Sequence, residues 1–316
     1  MPSSEPPTTD ADTAMALFGS TRRPKPRLAP ELDDAALGRV LRGIASLRGP
    51  GPQDLAIARI EQLLRDTGPD WDRRCHRISV LAQAAPALAR GWHKRRPRDP
   101  DALVLAGWAE LATDPWGALA LCRLAAEARP GDPTPWVGAL AALRSLGRPR
   151  AELAPLWEEI RAREPWHREA HLQILGYLSP KEQGSQSALR DFLDDVVAVM
   201  PPDAPAACLP LTAAVRQYHR DLDGGGVRAL GASRYWTQPH VARWVDQALT
   251  SWLSPGRLRQ AAAVADLGLL AYCLVRAGRT GDARPVFTAI DGLVTPWPWG
   301  HEGEPLERYT FYAGRL

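Results

Sequence analysis

Between residues 97 and 180 the chain is broken by proline at short intervals. The breaks fall at Pro97–Pro100, Pro115, Pro130–Pro135, Pro149, Pro165 and Pro180. Proline suits the first turn of a helix and cannot sit in a helix interior without cost. The helical stretches between the breaks are therefore roughly a dozen residues long, a length at which an isolated helix is marginal in water. Such pieces persist only by packing on one another, and this rhythm predicts helical hairpins stacked in series.

The flanking sequence has the same character. Leu32, Ala36, Val40, Leu41, Ile44 and Leu47 follow a helical period, and after Gly49–Pro52 so do Leu55, Ile57, Ile60, Leu63 and Leu64. No alternating strand run or hairpin signal stands out. With 45% hydrophobic residues, the chain has enough apolar surface to bury a core. It has no apolar run of about 18 residues, so a membrane span is not expected. Cys75, Cys122, Cys208 and Cys273 are widely spaced and lie in helical contexts, which predicts buried thiols. No secretory leader is read at the start, and a cytoplasmic location is expected.

The apolar pattern repeats. Leu105, Ala139 and Ile174 are spaced by 34 and 35 positions. The first unit runs Leu105, Ala106, Ala109, Ala118, Cys122, Ala125. Far downstream, Leu270, Ala271, Leu274, Ala283, Phe287 and Ile290 reproduce its spacing without a gap. Gly147 and Gly278 both fall where the two helices of a hairpin would turn. In these residues the chain resembles the tetratricopeptide repeat family, whose unit is a helix-turn-helix of about 34 residues with small residues at set positions. The resemblance covers residues 99–178 and 264–296. It departs from the family at Ala109, Leu143 and Leu274, where the family has an aromatic. It implies an all-α fold, an α-solenoid of stacked antiparallel helical hairpins.

On this basis residues 1–30 are expected to be a disordered tail and 31–220 a helical repeat domain. Residues 221–238 are expected to be a loop or insertion, 239–294 C-terminal helical repeats, and 295–316 a segment in which Trp297 and Trp299 cap the stack. Within the tail, an apolar patch from Met15 to Phe18 followed by a basic run from Arg22 to Arg27 reads as a docking motif or a solvated tail.

Chemistry-bearing patterns are few. His167 and His171 are four apart, as in zinc sites on helices, but the H-E-x-x-H order and a third ligand are absent. Moreover, His171 precedes Ile174 by the same three positions as Trp136 precedes Ala139, which makes it a packing residue. Phe192-Leu-Asp194-Asp195 is similar to the magnesium-binding aspartates of all-helical terpene cyclases, but the next acid is Asp203, beyond Pro201-Pro202. His93–Arg98 could meet phosphates or simply complement a helix C-terminus. Of 39 basic residues only Lys25, Lys94 and Lys181 are lysines, a bias that G/C-rich coding produces. A net charge of +3 makes nucleic acid an unlikely partner. Trp236, Trp244 and Trp252 recur every eight residues, as a core face or an exposed docking stripe. No phosphate-binding glycine loop occurs.

The expected function is that of a non-catalytic adaptor, without cofactor or metal, binding a protein or peptide on its concave face. The resemblance places Glu110 and Arg144 on that face, and Glu169 is a further partner-binding candidate. The alternative is an accessory or biosynthetic enzyme with a pocket between helices, built on His167 and His171 or on Asp194 and Asp195. Oligomeric state is left open.

Overall fold

The computed structural model describes residues 24–46, 53–254 and 258–315. These residues are almost wholly helical. The N-terminal half contains α1 (Ala35–Ala45), α2 (Gln53–Arg65), α3 (Trp71–Ala84), α4 (Pro86–Arg95), α5 (Pro100–Glu110), α6 (Pro115–Ala128), α7 (Thr134–Ser145) and α8 (Arg150–Arg163). The remainder contains α9 (Arg168–Tyr177), α10 (Gln186–Val199), α11 (Leu209–Asp223), α12 (Gly226–Tyr235), α13 (Pro239–Trp252), α14 (Ala263–Arg276), α15 (Thr280–Ile290) and α16 (Pro305–Ala313). Two short 3-10 turns, Pro205–Cys208 and Trp299–Glu302, complete the helical set.

Most of the prolines mark helix boundaries, although Pro155 and Pro285 lie inside α8 and α15. Pro86, Pro100, Pro115 and Pro239 each occupy the first turn of a helix. Acidic caps support the starts, with Asp34, Asp70, Asp99 and Asp114 each accepting a bond from a backbone N–H of the first turn. Consecutive helices pack on each other, most extensively α5 on α6, α6 on α7 and α14 on α15.

The neighbourhoods of Leu105 and Leu270 are both helix pairs, and Leu105, Ala106, Ala118, Cys122, Leu270, Ala271, Ala283 and Phe287 are all buried. Gly147 and Gly278 take positive φ, 63° and 72°. Each is followed by the same closing bond, Arg148 N to Leu143 O at 3.0 Å and Arg279 N to Leu274 O at 2.9 Å. This is the Schellman closure of a helix, which needs a left-handed residue that glycine adopts at little cost.

Small residues set the spacing of the layers. A Cβ on Gly138 would lie 2.7 Å from Cys122 Sγ and 2.8 Å from Trp108 Nε1. Gly138→Ala is therefore expected to destabilise by about 1–2 kcal/mol, because overpacking exceeds the gain in helix propensity. Urea unfolding would measure it, and an unchanged midpoint would mean that the layers separate freely.

The first described residues pair with a segment near the C-terminal end of the described chain. Arg27–Leu28 (β1) pairs in parallel with Leu293–Val294 (β2), and Ala29 N bonds Val294 O at 3.0 Å. Leu32 is buried in the same apolar cluster as Trp299 and Tyr309. Residues 24–30, expected within the tail, are thus part of the fold, and the rest of that expected segment, with its Met15–Phe18 patch, lies outside the described residues. The expected loop at 221–238 is instead mostly helix: α11 runs to Asp223, and α12 begins straight after Gly224-Gly225. In the last segment Trp299 is buried against Tyr272, Phe287 and Tyr309, whereas Trp297 stays 40% exposed.

Candidate functional site

The three residues expected to face a partner are already occupied within the chain. Arg90 Nε donates to Glu110 at 2.5 Å, and this contact holds the Glu110 carboxyl below its usual range. Arg144 bonds both oxygens of Glu182, at 2.7 and 2.5 Å, and Gln173 Oε1 at 2.7 Å. Gln173 in turn donates to Glu169 at 2.6 Å. Arg144 and Glu169 therefore belong to one chain of bonds joining α7, α9 and the following turn, while Glu110 lies apart. A side chain at Gly176 would meet the Arg144 guanidinium, which would have to shift from this crossing to make room.

The face made by α5, α7 and α9 is covered as well. Helix α3 packs against all three. From it the buried Arg74 reaches Asp132 at 2.6 Å and Asp101 at 2.5 Å. Arg168 at the start of α9 crosses to the fully buried Asp266 of α14 at 2.6 Å. Asp72 of α3 sits close by, and burial pushes its carboxyl up to about 6.

His167 and His171 lie in packed interior. His167 caps α9, its Nδ1 accepting from Ala170 N at 3.4 Å, and His171 Nδ1 bonds His167 O at 2.9 Å. His171 packs edge-on to Trp157 at 4.8 Å and stacks on Trp166 at 5.8 Å, the environment its position in the repeat predicts. Burial lowers the two imidazoles to about 3 and about 4. Among the described residues no three His, Cys, Asp or Glu side chains converge as a metal site would need. The basic run at the end of α4 is turned onto α2: Arg95 pairs with Asp54 and Arg96 with Glu61.

The open surface lies elsewhere. A groove of about 900 Å³ runs between α10, α11, α12 and α13. Its apolar wall is Leu189, Leu193 and Val197 from α10 with Ala213 and Ala214 from α11. Its aromatic side is a run of edge-on rings, Tyr235 to His240 at 6.5 Å and His240 to Trp244 at 5.1 Å. Trp244 is the half-buried member of its eight-residue series, and Trp236 and Trp252 are buried. Arg190, Arg220, Arg228 and Arg243 rim the groove against two acids, Asp194 and Asp221. Arg220 is held by Gln217 at 2.5 Å, and Gln217 by Asp221 at 2.8 Å. Arg190, Arg228 and Arg243 are exposed and make no hydrogen bond or ion pair among the described residues. Asp194 thus reaches a cavity, whereas Asp195 does not line it.

Sequence reasoning found Asp194 and Trp244 but not the groove, because its walls come from four helices. Arginines at 190, 220, 228 and 243 stand out only once those helices are placed. No helix among the described residues is long and apolar enough to cross a membrane. Compared with known proteins, the chain matches no known family and no curated sequence.

Proposed function

We propose that this chain is a non-catalytic adaptor of tetratricopeptide-like, α-solenoid type, and that it docks a protein or peptide segment in the groove between α10 and α13. The observation that carries this reading is the contrast between two sets of charges. Glu110, Arg144 and Glu169 are satisfied internally, while Arg190, Arg228 and Arg243 make no hydrogen bond or ion pair among the described residues and rim a trough with one apolar wall, one aromatic side and several polar groups. Concave, mostly apolar sites with a few oriented polar groups are the usual form of a binding pocket. Guanidinium groups at such a rim suit carboxylates. The partner's segment therefore combines apolar side chains with acidic ones, and docks without chemistry being done on it.

Selection from a displayed peptide library by the full chain tests this. Enriched sequences are expected to be apolar with flanking Asp or Glu. The double substitution Arg190→Glu with Arg243→Glu is expected to weaken them at least about tenfold, as removal and reversal of two rim charges should. Peptides without acidic bias, or equal binding by the substituted chain, would sink the proposal.

A further inference from the structure

Arg216 of α11 lacks what enclosed arginines elsewhere in the molecule have. Arg74, Arg77, Arg168 and Arg276 each hold a carboxylate, at distances from 2.5 to 2.7 Å. Arg216 is half-buried, yet it makes no hydrogen bond or ion pair among the described residues. Its five N–H donors are uncommitted.

Three charged side chains stand within electrostatic range of it: Arg144 of α7, Glu169 of α9 and Glu182 of the turn after α9. All three are engaged with other groups. Glu182 takes two bonds from Arg144, and Glu169 takes one from Gln173. Burial and the like charge of Arg144 lower the pKa of Arg216, although a guanidinium stays charged at neutral pH. A positive charge is thus drawn partly out of water, set near a second positive charge and left without an acceptor. Such an arrangement costs stability unless an anion completes it.

We infer that Arg216 anchors a binding site for a small carboxylic acid in its ionised form, held in the guanidinium fork with Arg144 as a second positive pole. A planar guanidinium meets a carboxylate through two parallel N–H···O bonds. The ligand is small because Arg216 is enclosed where α11 packs on α9 and is not set on an open rim. It is singly charged because Glu169 and Glu182 are near, and a phosphate dianion would meet twice the repulsion that a carboxylate meets. Arg216 does not line the groove between α10 and α13, so this inference does not rest on the groove reading.

Thermal unfolding of the full chain at pH 7 tests it, with sodium acetate as the probe and sodium chloride of equal ionic strength as the reference. Acetate at about ten times its dissociation constant is expected to raise the midpoint by about 2–3 °C over chloride. Inorganic phosphate at the same ionic strength should raise it less. Arg216→Met should abolish the acetate response. Without acetate it should melt at least as high as the parent chain, because it removes an unpaired charge from a half-buried position. The chain with Arg190→Glu and Arg243→Glu should keep the response. The inference is overturned by no response to acetate, by a phosphate response as large, or by a response that survives Arg216→Met or vanishes with the groove arginines. A midpoint of Arg216→Met well below that of the parent would also overturn it, since Arg216 would then have its partner within the fold.

Discussion

Lowering the pH from 7 to 5 is expected to remove on the order of 6 kcal/mol of folding stability, about half of what a typical domain has. Four histidines carry the effect. Burial depresses His76 and His171 to about 4, and His167 and His219 to about 3. His76 Nε2 and His167 Nε2 are also buried without a hydrogen-bond partner. In the unfolded chain each imidazole titrates near 6.5. The unfolded state therefore binds protons over a range in which the folded state refuses them. The stability is present above pH 6.5 and is withdrawn as the pH falls from there towards 4, by about 2 kcal/mol per histidine at pH 5. Asp72 acts in the opposite sense. Its folded value of about 6 lies above the unfolded one, so it gives back about 1 kcal/mol over the same interval. Thermal unfolding at pH 7, 6 and 5 should show the midpoint falling by about 10 °C. His219→Gln should remove roughly a quarter of the slope. A midpoint that stays level to pH 5 would mean that these imidazoles are already charged, or open to water, in the folded protein.

The second large effect concerns the bond between α9 and α14. Arg168→Met is expected to destabilise the fold by about 3–5 kcal/mol, because it leaves Asp266 as a buried charge without its cation. Asp266 would keep only the longer bond from Gln260 Nε2, at 3.2 Å. Asp72, whose carboxyl Arg168 also opposes in charge, would lose the same support. Arg168→Met with Asp266→Leu together should recover most of the loss, since an apolar pair in place of a buried ion pair is commonly neutral or better. Urea unfolding of the two variants measures the difference. A single substitution as mild as a surface change would show that water already reaches Asp266.

Much of the helical layout was legible in the sequence because its determinants are local. Pro100 and Pro115 set starts, Asp99 and Asp114 cap them, and Gly147 and Gly278 close two hairpins with the same bond. The misread segments lack such local marks. Helix α12 follows Gly224-Gly225 and buries only Ala232, while Val227 and Leu230 are 85% and 82% exposed, so its apolar period is weak. The pairing of Arg27–Leu28 with Leu293–Val294 is two residues long, too short for an alternating pattern to register. The candidate site was the least legible. Arg144 was read as facing the concave, partner-binding surface by its place in the repeat, but its guanidinium is used by Glu182 and Gln173 across α9. A residue's position within a repeat specifies which way its Cβ points and not whether a neighbouring helix has already claimed the group at its end.

The bridge between Leu28 and Val294 also bears on how such a chain can change in size. A row of hairpins with loose extremities can gain or shed a unit by duplication or deletion, because each unit meets only its neighbours. Here an inserted unit would drag Val294 away from Leu28 and uncover Leu32 and Trp299 together. A helix pair could therefore be added between α1 and α15 only at the expense of this pairing and the apolar cluster beneath it.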